Sequence, residues 1–396
     1  MKGWGIGLVP DLAIIKAKSK KHNRYLVECG VVPLTIDLSK GGPEELLSFI
    51  YLHSYIKVTF FFFYLKYAKS TLSGLLDSDF HVKLFNLRFI KNEIIGSCNK
   101  KLKYLQSGLL SEIEKILSNE AHPSLLIEAC VIVGSLAYGD KECLTALFAS
   151  NLLPTLTLFL NHKDDNVAEA AIRSIKIVYT CDFTYKFTLK DESLLVVVEL
   201  LSSSSATIVE NALKLISISC RTPERQLLVV NYPNLSAVKK IIEFLSSHNP
   251  KLQESSLQTL ASLIHSNKQA AKVILCNFPD LQKTLYHFLK RTPDSIRLAA
   301  CCCLAYLNKL NMLNNKSALF SMLLPLLVRL SSSGTPTIRI QSLNTLAFFI
   351  AEEPKLQKAA CESELLKNLH EAFDNTRNDN ERDLIQYQEE LFFASH

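Results

Sequence analysis

The stretch "ACVIVGSL" (129–136) decides the fold, because its pattern of small and apolar residues returns along the chain at a nearly constant interval. "AIRSIKIV" (171–178), "ALKLISIS" (212–219), "SLQTLASL" (256–263), "ACCCLAYL" (300–307) and "SLNTLAFF" (342–349) follow it. Their first residues, Ala129, Ala171, Ala212, Ser256, Ala300 and Ser342, are 42, 41, 44, 44 and 42 residues apart. Two weaker copies, at Leu87 and Glu45, extend the series backwards in steps of 42. The third, fourth and seventh residues after each anchor are small or apolar, as in Ile132, Val133 and Leu136. That spacing makes one face of a 3.6-residue helix, so each anchor is expected to open a helix with one buried stripe.

A second apolar segment precedes each of these helices, such as "LLPTLTLFL" (152–160) or "AVKKIIEFL" (237–245). Short polar clusters such as "NHKDDN" (161–166) and "SSHNPK" (246–251) separate the two, and such clusters break helices. A shorter helical segment stands in front, as in "KECLTALFAS" (141–150) and "NKQAAKVILC" (267–276). Three helices in about 42 residues is the armadillo unit; HEAT hairpins share the period, and the short leading helix favours armadillo. The expected fold is all-α, a right-handed α-solenoid of armadillo repeats over residues 71–375 with no sheet. Residues 1–70 read as a degenerate repeat or irregular extension, although "NRYLVECGVVPLTIDLSKGG" (23–42) itself resembles a helix pair. Residues 376–396 read as an acidic tail.

Composition agrees with a helical array. The 396 residues include only 12 glycines and 13 prolines, too few for strand-rich or Rossmann-like folds that depend on glycine turns. The net charge of +6 is modest, and its basic cluster "KAKSKKHNR" (16–24) reads as solvated surface. Nucleic-acid binding would require a strongly basic face with interleaved aromatics, which this balance does not supply. The most apolar segment, "FIYLHSYIKVTFFFFYLKY" (49–67), leaves only eight uncharged residues between Lys57 and Lys66. A bilayer requires roughly 20 apolar residues, so no membrane span is expected there.

Eleven cysteines, an odd number without any CxxC pair, argue against a zinc ribbon or thioredoxin motif. With no good secretory leader in "MKGWGIGLVPDLAII", they read as reduced, buried thiols of an intracellular protein. Cys301, Cys302 and Cys303 cannot converge on one metal, since neighbours on a helix diverge by about 100° each. Cys303 takes the third place after its anchor, where Thr259 and Thr345 stand in adjacent copies, so it reads as a small core residue. No nucleotide-binding, metalloprotease or serine-hydrolase motif is present, and the ten histidines lack ligand spacing. No catalytic residue, cofactor, metal or small-molecule substrate is expected.

The remaining candidate is a partner-binding groove. The second and sixth residues after each anchor share a face distinct from the buried stripe. These positions give a basic centre at Arg173 and Lys214, then Gln258, and a C-terminal end with Tyr306, Asn344 and Phe348. Nuclear-import receptors repeat Trp and Asn there, whereas the single tryptophan here is Trp4, so a receptor of that kind is not expected. The pattern suits a protein segment with acidic residues and an apolar anchor.

Several segments go beyond a generic repeat. "IEACVIVGSLAYG" (127–139), "CLAYLNKL" (303–310), "LLPLLVRL" (323–330) and "SLNTLAFFIAEEPKLQKAA" (342–360) resemble the armadillo subunit of CTLH/GID ubiquitin ligases, in its N-terminal half. "FNLRFIKNEIIGSCNKK" (85–101) resembles that family's first repeat. The likeness implies a non-catalytic scaffold, cytoplasmic and nuclear, that joins other ligase subunits by protein contacts and supports proteasomal degradation. Relatives carry a second block of repeats that holds much of the grip on the substrate receptor, so contact with other subunits is the expectation here. An armadillo adaptor of adhesion or transport, unrelated to ubiquitin, is the alternative.

Overall fold

The computed structural model describes residues 70–358, apart from 120–121, 182–188, 291–292, 314–315, 333–334, 352 and 354–355. The expectations for residues 1–69, for Trp4 and for the acidic tail lie outside them. The described residues are helical, with no strand among them. Helix α1 (Phe80–Ile94) leads into α2 (Cys98–Gln106), α3 (Leu109–Asn119) and α4 (Pro123–Ala137), the first complete triplet being α2–α4. The next is α5 (Lys141–Ala149), α6 (Leu152–Leu158) and α7 (Asp165–Thr180). Helices α8 (Asp191–Glu199) and α9 (Ala206–Ser219) form a pair. Two more triplets follow: α10 (Pro223–Val230), α11 (Ser236–Leu245) and α12 (Pro250–Ile264), then α13 (Lys268–Asn277), α14 (Leu281–Phe288) and α15 (Asp294–Lys309). The series closes with α16 (Lys316–Ser331) and α17 (Pro336–Ile350). In that last copy one 16-residue helix, with Pro325 inside it, takes in the expected second helix "LLPLLVRL" (323–330), and no separate short leading helix stands before it among the described residues.

The third helices form a ladder: α1 packs on α4, α4 on α7, α7 on α9, α9 on α12, α12 on α15 and α15 on α17. This stacking makes the chain an all-α solenoid, in which each unit buries its apolar stripe against the next. All the anchors among the described residues sit in that seam. Leu87, Ala129, Ala171, Ala212, Ser256, Ala300 and Ser342 are each 0% exposed.

The anchors do not open their helices, however. The ladder helices α4, α7, α9, α12, α15 and α17 each begin six residues before their anchors, at Pro123, Asp165, Ala206, Pro250, Asp294 and Pro336. Polar residues assigned to the turns are the caps of those helices. The side chains of Asp164, Ser205 and Asn249 accept from the backbone N–H groups of Asn166, Ile208 and Lys251, satisfying donors that a helix start leaves open. Proline at the first helical position of α4, α12 and α17 has its φ already set for a helix and lacks a hydrogen that would have no partner there. At the other end of α4, Gly139 takes φ +77, a left-handed conformation that side chains resist, and so lets the chain turn into α5.

The third place after the anchor is more than a small gap. Ser174 Oγ donates to the carbonyl of Cys130 at 2.6 Å, and Thr259 Oγ1 to that of Leu213 at 2.8 Å. Cys303 Sγ reaches the carbonyl of Leu257 at 3.3 Å. All three acceptors are the residue just after the preceding anchor, so one donor ties each of these units to the carbonyl ladder of its neighbour. Cys303 is therefore a core residue, as its position implied, and a thiol donor in a place where other copies use a hydroxyl.

Candidate partner-binding groove

Between the buried seams the ladder helices leave a half-exposed stripe, and it carries the second and sixth residues after each anchor. Arg173 on α7, Lys214 on α9 and Gln258 on α12 occupy equivalent places on three successive helices. Each faces a carboxylate one turn upstream. Arg173 pairs with Glu169 at 2.8 Å and Lys214 with Glu210 at 2.6 Å, while Gln258 donates to Glu254 at 3.2 Å. The basic centre read from Arg173 and Lys214 is accordingly two ion pairs rather than two free cations. Such exposed one-turn pairs contribute about 0.3–0.5 kcal/mol each. The period could not disclose them, because the glutamates stand two residues before the anchors, outside the positions assigned to the groove.

A third cation is present that the positional reading missed. Lys176 lies half-buried on α7 and donates from Nζ to Asn211 Oδ1 of α9 at 2.7 Å. Burial lowers its pKa below the ordinary lysine value, and the nearby charges of Lys214 and Arg173 lower it further against the opposing pull of Glu210. Asn211 is only 5% exposed and donates its own amide to Thr207 at 2.9 Å, which orients its oxygen towards the lysine. The signal was available in the sequence. The fifth place after the anchor holds Gly134, Ser217, Ala261, Ala305 and Ala347 in the other five strong copies, and Lys176 is the one long side chain among these six; the two weaker copies carry Asn92 and Ile50.

At the C-terminal end the expected aromatic pair is brought together. The rings of Tyr306 on α15 and Phe348 on α17 meet edge to face, with centroids 5.0 Å apart. His265, just past α12, completes the cluster at 4.7 Å from Tyr306 and 5.7 Å from Phe348. Burial lowers the pKa of His265 and raises that of Tyr306, so both rings are neutral at physiological pH. Asn344 is exposed on the same helix as Phe348 and stands apart from the cluster contacts. In the sequence His265 stands near a helix end, with nothing to assign it to this face.

Six thiols of the array are held in the protonated form. Burial pushes Cys130, Cys143 and Cys220 up to about 12, outweighing Lys101 near Cys143 and Arg225 near Cys220. Cys302 is pushed up to about 11, and Cys301 and Cys303 lie well above the ordinary thiol range. Among the described residues no group of three His, Cys, Asp or Glu side chains is placed to hold a metal ion. No single helix among them is long and apolar enough to cross a membrane.

No family model matches the chain. Individual proteins do: a Xenopus laevis protein named armadillo repeat-containing protein 8 is 26% identical over 301 residues. The chain resembles armadillo repeat-containing protein 8. The alignment covers 74% of this chain and 41% of the Xenopus protein, and the mouse protein of the same name is 26% identical over 302 residues, with 44% of it covered. The chain thus spans less than half the length of the curated relatives it matches. Solved structures agree on the fold. A designed armadillo repeat protein superposes with a TM-score of 0.52 and 16% identity, covering 61% of this chain and 99% of its own. Another, solved in complex with the peptide (KR)4, gives 0.51 over 60% of this chain and 98% of its own, also at 16% identity.

Proposed function

We propose that the chain is a non-catalytic scaffold subunit of a CTLH/GID-type ubiquitin ligase, supporting ubiquitin-dependent degradation through contacts with other subunits. The observation that carries this reading is the similarity to armadillo repeat-containing protein 8 along 301 residues, within an array whose seams repeat the same anchor. An armadillo array is a protein-binding scaffold, and the exposed stripe of this one offers charged and aromatic side chains to a partner segment. The raised thiol pKa values fit a role without covalent chemistry. The reading places the protein in the cytoplasm and nucleus, where such ligases act.

Affinity purification of the tagged full chain from its own cells, after mild crosslinking, tests the proposal. Co-purifying RING-domain and LisH/CTLH-containing subunits are the expected result. Recovery of adhesion-receptor tails or transport cargo without them would replace the ligase reading with that of an adaptor.

A further inference from the structure

The lysine in the α7–α9 seam is chemically out of place. Small residues hold its position in the other five strong copies, and at α4 and α7 the successive helices run close there. A Cβ on Gly134 would lie only 3.0 Å from Ser174 Oγ and 3.1 Å from Ser174 Cα. Placing an ammonium group at such a seam costs desolvation unless a partner compensates. Among the described residues the hydrogen-bonding partner of the Lys176 amine is the neutral Asn211 amide. Its cationic neighbours Arg173 and Lys214 have carboxylates of their own, Glu169 and Glu210. Among the described residues one positive charge of the group is therefore left uncompensated, and an ammonium with three donors has capacity beyond the single bond to Asn211.

We propose that the α7–α9 seam is the seat of one acidic side chain from an extended segment of a partner protein, whose apolar residue lies on the His265–Tyr306–Phe348 cluster. This rests on the scaffold reading, and it names the chemistry of the segment. Lys176 binds the carboxylate, Arg173 and Lys214 flank it, and Asn211 is a positioning residue that holds the amine. The rings form a preassembled floor, since their mutual edge-to-face contacts fix them before a partner arrives. Successive ladder helices are spaced by about 8–10 Å, which puts the cluster roughly 25 Å from the seat. An extended chain advances about 3.3 Å per residue, so the acidic and apolar residues of the segment stand about seven or eight positions apart.

Synthetic peptides titrated against the full chain by fluorescence anisotropy provide the test. The probe carries one Glu and one Phe seven positions apart in a Ser/Thr background; its variants replace Glu with Gln, replace Phe with Ala, or move Phe four positions closer. The parent peptide should bind with an affinity that falls as salt rises, and the Gln variant should bind about tenfold more weakly. Removing or moving Phe should weaken binding as well. Lys176→Met should abolish the advantage of Glu over Gln while leaving the Gln peptide unchanged. The peptide-side exchange probes the same contact on the wild-type chain, so the test survives a protein variant that folds poorly. Equal binding of the Glu and Gln peptides, or no binding by the wild-type chain, would overturn the assignment. So would displacement of the peptide by a short single-stranded RNA at lower concentration, since phosphates would then be the preferred anion. If ligase subunits co-purify with a chain that ignores these peptides, the seat falls and the scaffold stands. Peptide binding by a chain that captures no ligase subunit reverses that outcome.

Discussion

Cys303→Ala and Cys303→Ser together test whether the third place after the anchor demands a donor or only a small volume. The Cys303 thiol is 0% exposed and its sulfur reaches the Leu257 carbonyl of the preceding ladder helix at 3.3 Å. Alanine removes the sulfur and leaves a methyl-sized void, a loss of about 1 kcal/mol, with the weak thiol bond lost in addition. Serine loses volume too but supplies a stronger donor, and Ser174 shows that this geometry accepts one, at 2.6 Å from Cys130 O. A net hydrogen bond is worth about 1 kcal/mol, so serine should recover most of what alanine loses. Because a solenoid opens unit by unit, the loss should be local. Hydrogen exchange followed by mass spectrometry should show amides of α12 and α15 exchanging about fivefold faster in Cys303→Ala, with those of α4 and α7 unchanged. Cys303→Ser should stay within about twofold of wild type. If serine destabilises as much as alanine, the position responds to volume alone and the shared donor pattern is coincidental.

Gly134→Ala should lower the urea midpoint: its Cβ would press within 3.2 Å of three Ser174 atoms, an overpacking cost of about 1–3 kcal/mol that outweighs the ~1 kcal/mol helix-propensity gain. Arg173→Glu with Lys214→Glu should cost the fold about 1–2 kcal/mol, since each new carboxylate would face Glu169 or Glu210 at one-turn spacing; glutamine at both sites should cost less, and thermal melts would separate them. The buried thiols make the array alkali-sensitive. Cys130 and Cys220 titrate near 12 when folded against an ordinary value of 9, so the folded state binds more protons between those limits. Stability should hold below about pH 9 and fall as pH rises towards 12, and a melting series in which Tm is flat across that window would contradict the assignment. At pH 7.5 a disulfide reagent should label exposed Cys98 and Cys276 first, and rapid labelling of Cys301 would contradict the burial derived for it.

The period, the anchors and the buried stripe are all present in the sequence by itself. Each depends on local helical geometry repeated every 41 to 44 residues, and a helix of 3.6 residues per turn turns that pattern into one apolar face wherever it occurs. Helix starts lie six residues ahead of the anchors because apolar periodicity marks the middle of a helix, while caps such as Asp164 and Asn249 mark its beginning. Tyr306 and Phe348 were legible as a pair because equivalent positions of stacked units must meet. The tertiary structure alone decided the rest. Lys176 with Asn211, His265 with Tyr306, and Cys303 with Leu257 are joined across 35 to 46 residues, at distances set by how closely neighbouring helices cross. A linear pattern carries the phase of each helix but not the depth of the seam between two. It is that depth which determines whether a lysine at the fifth place is solvated or held against an amide, and whether a small residue at the third place only fills space or also ties two units together.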